Sequence, residues 1–112
     1  MLATISDDDR KHVGELAEAY TGRQAPARQF LSRTRQAFIR GTLAGDPEWI
    51  DDLEEFRDDT AMNLVRFTDT RWRGWASHQT IADMIRLEAE ASQMLIGCGR
   101  GREIWHPRRK SA

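Results

Sequence analysis

The densest run of chemically capable side chains is "EWIDDLEEFRDDT", residues 48–60, with seven carboxylates in thirteen positions. Carboxylates at helical spacing are what a hard divalent cation requires, because Mg²⁺ and Ca²⁺ take oxygen ligands. Glu55 and Asp58 stand in an E-x-x-D spacing. A metal site inside a helical bundle, however, needs its carboxylates turned toward neighbouring helices. On a wheel of about 100° per residue, Asp51, Glu54, Glu55, Asp58 and Asp59 fall opposite the apolar stripe or at its margin. The expectation is therefore a solvated acidic face. His12, His78 and His106 share no metal-ligand spacing with one another or with Cys98. Glu88 has no second acid or base beside it for general catalysis. It falls within an apolar stripe, where it must pair with an arginine or lie at the margin. No metal, cofactor or small-molecule substrate is expected, and no catalytic residue is assigned.

The elements that must carry these residues read as helices throughout, an all-α, four-helix single domain over residues 1–97 with an irregular basic tail over 98–112. With 112 residues, 31% charged and 39% hydrophobic, the chain suits one charge-rich core. A single cysteine excludes an internal disulfide and fits a reducing compartment, and no secretory leader pattern is visible, so a cytoplasmic location is expected. No apolar run approaches the ~20 residues that span a bilayer, so no membrane partner is expected.

Helix 1 covers about 7–21, from an N-cap at Ser6 and the triple Asp7–Asp9 to the stop at Thr21-Gly22, with a stripe of Val13, Leu16, Ala17 and Tyr20. Helix 2 runs from Pro26 to about 44 and presents Ala27, Phe30, Leu31, Thr34, Phe38 and Gly41. Helix 3 opens on "DPEW", with Asp46 as cap, and covers about 47–71. Its stripe is Trp49, Leu53, Phe56, Thr60, Leu64 and Phe67. The short connection makes helices 2 and 3 an expected antiparallel hairpin. Two pairs seven residues apart, Arg33/Arg40 and Asp52/Asp59, then match as Arg33–Asp59 and Arg40–Asp52. Helix 4 spans about 78–96, capped at Ser77 or Thr80. Trp72, Gly74 and Trp75 form the corner before it, and Ile104 and Trp105 pin the tail.

Helix 4 carries two apolar stripes. Ile81, Ile85, Ser92, Leu95 and Ile96 form the first. Met84, Leu87, Ala91 and Met94 form the second, which leaves more apolar circumference than the ~100° a helix on one side of a monomer needs. The second stripe fits either a central helix contacted by neighbours on both sides or an interface with another copy or a protein partner, and it is assigned to the interface, since adaptable methionine suits such surfaces. The leading expectation is a non-enzymatic protein acting through self-association or docking.

The alternative is a small DNA-binding protein. Between Thr21 and Gly45 lie five arginines and no acid. With Arg33 and Arg40 assigned to helix 3, Arg28 and Arg35 remain as a basic edge for phosphates. Arg100, Arg102, Arg108, Arg109 and Lys110 of the tail add to it. Net charge of −1 supplies no global attraction.

Three local resemblances accompany this reading. "QTIADMIRL", through Gln79, Ile81, Ala82, Ile85 and Leu87, resembles the helix-turn-helix of bacterial repressors, which implies DNA binding. Arg86 stands where that turn has glycine, and "RLEAEA" is made of strong helix formers, so one uninterrupted helix is expected. The Glu55/Asp58 spacing resembles that of all-α metal-dependent nucleotide pyrophosphatases, but no matching carboxylate cluster follows on helix 4. Trp72-Arg73-Gly74 resembles the turn of small secreted two-helix proteins, without that family's aromatic-then-acid tail signal. "GCGRG", residues 97–101, follows a helix C-terminus, the wrong end for an anion, and is read as a cap and exit.

Overall fold

The computed structural model describes residues 7–22, 24–68 and 77–100, apart from the side chains of residues 9, 10, 12 and 13. Four α-helices and one 3-10 turn account for these segments, and the all-α class is as expected. They are α1 (Asp7–Glu18), α2 (Pro26–Arg40), the 3-10 turn Leu43–Gly45, α3 (Pro47–Thr68) and α4 (His78–Gly97). The expected cap Ser6, the corner Trp72–Trp75, and Ile104 and Trp105 lie outside the described residues, as does the side chain of Val13.

Helix starts follow local chemistry. Pro26 and Pro47 occupy first turns, where a missing N–H costs nothing. The Asp46 carboxylate accepts from the Trp49 amide at 3.1 Å, and Ser77 Oγ accepts from the Thr80 amide at 3.0 Å. Ser77, not Thr80, is thus the cap of α4. α4 then runs unbroken through Arg86 and "RLEAEA", so no helix-turn-helix forms there.

α1 stops at Glu18, short of the expected end near residue 21, and α2 also ends early. α2 stops at Arg40, not near residue 44, because Gly41 adopts a left-handed conformation at φ 80°. Its amide donates to Phe38 O and the Thr42 amide donates to Ala37 O, both at 3.0 Å. This paired capping pattern is open to glycine at little cost. α4 ends the same way at Gly99, φ 86°, with the Arg100 amide donating to Leu95 O at 2.8 Å.

The early end of α2 moves the pivot of the connection toward the N-terminus and shifts the register of α3. Trp49, not Asp58, stands against Thr34, donating from Nε1 to Thr34 Oγ1 at 2.9 Å. Phe56, not Met62, stands against Phe30, with ring centroids 5.2 Å apart. The expected Arg33–Asp59 and Arg40–Asp52 pairs do not form; all four side chains are exposed. Nor is the α2–α3 hairpin the tight unit. The closest backbone packing is between α3 and α4, which are antiparallel, with Arg100 after α4 reaching Asp51 and Glu54 at the start of α3.

α2 packs against this pair and runs parallel to α4. Arg28 meets Asp83 and Arg35 meets Glu90, both across 55 positions. The resulting slab is 21 Å in its shortest dimension, the thickness of two helix layers. Leu31, Ala37, Leu43, Ile50, Leu53, Ala91, Met94 and Leu95 form one buried cluster; Tyr20, Ala27, Phe67 and Met84 form a second. Phe56 and Leu87 pack against both and join them. The buried polar groups around Tyr20 are satisfied in place. Tyr20 Oη shares a hydrogen bond with Thr60 Oγ1 (3.0 Å) and accepts from Asn63 Nδ2 (3.2 Å), while Asn63 Oδ1 accepts from Arg66 (3.0 Å).

Candidate functional site

The apolar stripe assigned to an interface is the chain's own core. Met84, Ala91 and Met94 are buried, with Met84 and Ala91 fully enclosed, and Leu87 sits half-buried where the two core clusters meet. The reason is how α4 is rotated about its own axis. Asp83 and Glu90 must face α2 to meet Arg28 and Arg35, which turns the Met84/Leu87/Ala91/Met94 arc inward between α2 and α3. That rotation carries the other stripe outward. Ile81 and Leu95 keep contact with the body, but Ile85 and Ile96 are 52% and 49% exposed.

The basic edge is likewise paired with carboxylates of the same chain. Arg28 Nη2 donates to Asp83 Oδ2 at 2.5 Å, and Arg35 binds Glu90 through both Nε and Nη2, the latter at 2.8 Å. Arg100 Nη1 donates to Asp51 at 2.6 Å and Glu54 at 3.0 Å. Hydrogen bonding and charge from Glu90 hold the Arg35 guanidinium above its ordinary pKa, and Asp51 and Glu54 do the same for Arg100. An arginine so paired offers little net charge to a phosphate. Arg102, Arg108, Arg109 and Lys110 lie outside the described residues. Arg33 and Arg40, expected to be paired, are exposed instead. Arg33, however, borders a shallow cleft of about 330 Å³ shared with Asp46, Glu48 and Asp52, where three carboxylates offset it.

Asp83 and Glu90 are the residues that the sequence reading passed over. Their signal was present: they lie seven apart, as do Arg28 and Arg35, and two parallel helices match residues at a constant difference. Asp83 is the hub. It is buried and accepts from Arg28, from Gln79 Nε2 at 2.9 Å and from Arg86. Burial opposes its charge, but the bonds from Gln79 and Arg28 and the charges of Arg28 and Arg86 outweigh burial, holding its carboxyl below the usual carboxylate range. Arg28 Nε is buried without a hydrogen-bond partner.

The remaining chemically capable groups are dispersed. Glu88 is half-buried at the margin of α4, accepting from Ser92 Oγ at 3.3 Å. Glu55 is exposed and Asp58 pairs with its neighbour Arg57. Burial pushes the Cys98 thiol up, against the opposing charge of Arg100, which disfavours the reactive thiolate. Among the described residues no group of three His, Cys, Asp or Glu side chains could hold a metal ion. No described helix is long and apolar enough to cross a membrane.

What stands out is a surface. α1 and α2 cover one side of the α3–α4 pair. On the opposite side Val65 of α3 is 67% exposed and Met62 is 62% exposed. Ile85 of α4 faces the same way. The Arg100 contacts with Asp51 and Glu54 set the antiparallel register, which brings Val65 level with the turn that follows Ile85. Half-buried Ala61, Ile81 and Ser92 and exposed Ala89 lie between and beside them. Residues 60–65, between Asp59 and Arg66, carry no charge, so this part of the α3 face is apolar. No protein-family model, curated protein or solved structure matches this chain.

Proposed function

We propose that this protein acts by protein–protein association through the outer face of the α3–α4 pair, with Val65, Met62 and Ile85 as its apolar contacts. The observation that carries this reading is their exposure, half to two-thirds, on one side of a helix pair whose other side is packed. Scattered single apolar residues need no explanation on a protein surface, but neighbouring ones across two helices form a patch. The reading retains association as the mode of action and moves it from the Met84/Leu87/Ala91/Met94 arc to the opposite flank. It assigns the chain no reaction. The nucleic-acid alternative is less well supported, because Arg28, Arg35 and Arg100 already hold carboxylates.

In-cell chemical cross-linking of the tagged chain tests this. Adducts heavier than the 12.9 kDa chain are expected for the wild type, to be lost in Val65→Glu and Ile85→Glu and retained in Arg33→Glu. Adducts that persist in both apolar variants, or none in the wild type, would remove the reading.

A further inference from the structure

The outer α3–α4 face joins two chemistries. Along α3 it opens with carboxylates and closes with Ala61, Met62 and Val65, and Ile85 and Ala89 of α4 lie beside that apolar end. Residues 48–60 hold seven carboxylates and one arginine, so the field over the first half of α3 is negative. A second copy fits this face poorly. Its apolar part amounts to roughly 300–400 Å², against the about 800 Å² that each partner gives to a stable dimer, and a two-fold contact would bring carboxylates of both copies together.

The chain itself supplies an occupant of the right sign and size. Arg100, just past the end of α4, already lies on α3, donating to Asp51 at 2.6 Å and to Glu54 at 3.0 Å. The sequence that follows it, "GREIWHPRRK", residues 101–110, carries four cations, one acid and the adjacent apolar pair Ile104 and Trp105. Its cations answer the acidic half of the face, and the Ile-Trp pair answers the apolar half. Lengths agree as well. Ile104 and Trp105 come four and five residues after Arg100, a reach of up to about 13–17 Å at 3.3 Å per residue. Met62 and Val65 lie eight and eleven residues beyond Glu54, about 12–17 Å along the helix at 1.5 Å per residue.

We propose that residues 101–110 fold back along the outer α3–α4 face, with Ile104 and Trp105 covering Met62, Val65 and Ile85, as a tethered competitor of the protein that associates there. The contact stands on its own; the competitor role rests on the reading of this face as the association surface. A patch of this size holds a short segment weakly, with a dissociation constant on the order of 1 mM. A tether of a few residues keeps the segment at an effective concentration in the same range, so the cover is closed in about half of the molecules. A partner that needs the face open then meets an apparent dissociation constant about doubled.

Methyl NMR of the full chain tests the contact. A nitroxide on His106→Cys in a Cys98→Ser background should broaden the signals of Met62, Val65 and Ile85 more strongly than that of exposed Ile39. Ile39 is the control because its neighbour Phe38 has its ring against Gly97, near where the segment leaves α4, so a segment off the face would broaden it at least as much. Trp105→Ala, in the otherwise native chain, should shift the same three methyl signals and leave the enclosed Met84 unmoved. If Cys98→Ser loses the wild-type circular dichroism spectrum, the Trp105→Ala shifts decide. Broadening no stronger at Val65 than at Ile39, or three signals unmoved by Trp105→Ala, overturns the proposal. Broadening passed equally to unlabelled chains in a mixture does so too. In cells, Trp105→Ala should raise the cross-linked adducts about twofold, and an unchanged yield removes the competitor role. Should the NMR contact fail while adducts stay sensitive to Val65→Glu, the cover falls and the association surface stands. Should the contact hold with no adducts in either chain, the cover stands and the association reading falls.

Discussion

Replacing Asp83 by asparagine removes one negative charge from the point where α2, α4 and three donors meet, with almost no change in shape. Arg28 and Arg86 lose their counter-charge, and the Gln79 contact becomes a bond between neutral groups. A hydrogen bond to a charged group contributes about 1.5–3 kcal/mol. Arg86 is two-thirds exposed, so its share is screened and small, about 0–1 kcal/mol. Arg28 is about one-third exposed and loses part of its bond back to water. Burying a neutral amide rather than a carboxylate returns a further part. The net loss is expected to be about 1.5–2.5 kcal/mol at neutral pH, a fall in Tm of roughly 6–10 °C for a chain of this size.

The sign with pH follows from linkage. The folded-state pKa of Asp83 lies below its unfolded value, so the stabilisation is fully present above the ordinary carboxylate pKa of about 3.9 and is lost as pH falls through the depressed folded value. Thermal melts of wild type and Asp83→Asn from pH 7 down to pH 2 should show a constant gap above about pH 5 that closes in acid. Arg86→Ala should move Tm by far less. A gap below 0.5 kcal/mol at pH 7, or one that persists undiminished at pH 2, would refute the argument that Asp83 holds α2 to α4 by its charge.

Two further expectations concern packing. Met84→Ala should destabilise the folded chain by about 2–4 kcal/mol, as deletion of a fully buried side chain does; melts at 5 and 200 µM should show the same loss, and a loss that fades at high concentration would return Met84 to an interface. A Cβ at Gly97 would meet the Phe38 ring at 2.6 Å, so Gly97→Ala gains helix propensity only by displacing that ring. Denaturant unfolding should find it near neutral or destabilising in the wild type, but stabilising by about 0.5–1 kcal/mol beside Phe38→Ala, and equal effects in both backgrounds would show that the ring does not constrain the position.

Much of this architecture was legible residue by residue, because the interactions that write it are short in range. Pro26, Asp46–Pro47 and Ser77 begin their helices through contacts within one turn, and the strong helix formers after Arg86 carry α4 onward. The end of α2 was less legible. Gly41 and Gly45 both can terminate a helix, and Gly41 also continues the apolar stripe. Only the αL turn at Gly41, with buried Leu43 just beyond it, settles which one does.

The candidate site depended on long-range geometry to a greater degree. A helical wheel shows that α4 has two apolar stripes, but a rotation of the helix exchanges inside for outside without altering one local preference. Two ion pairs across 55 positions fix that rotation, enclosing Met84, Ala91 and Met94 and leaving Ile85 and Ile96 outside. The same pairing takes Arg28 and Arg35 out of contention for phosphate, while the early turn at Gly41 frees Arg33 and Arg40. Periodicity and capping, which act between neighbours in the chain, determined that four helices form and roughly where. Which face each one hides is decided by groups distant in sequence, because burial and charge pairing are properties of the assembled helices and not of any one of them.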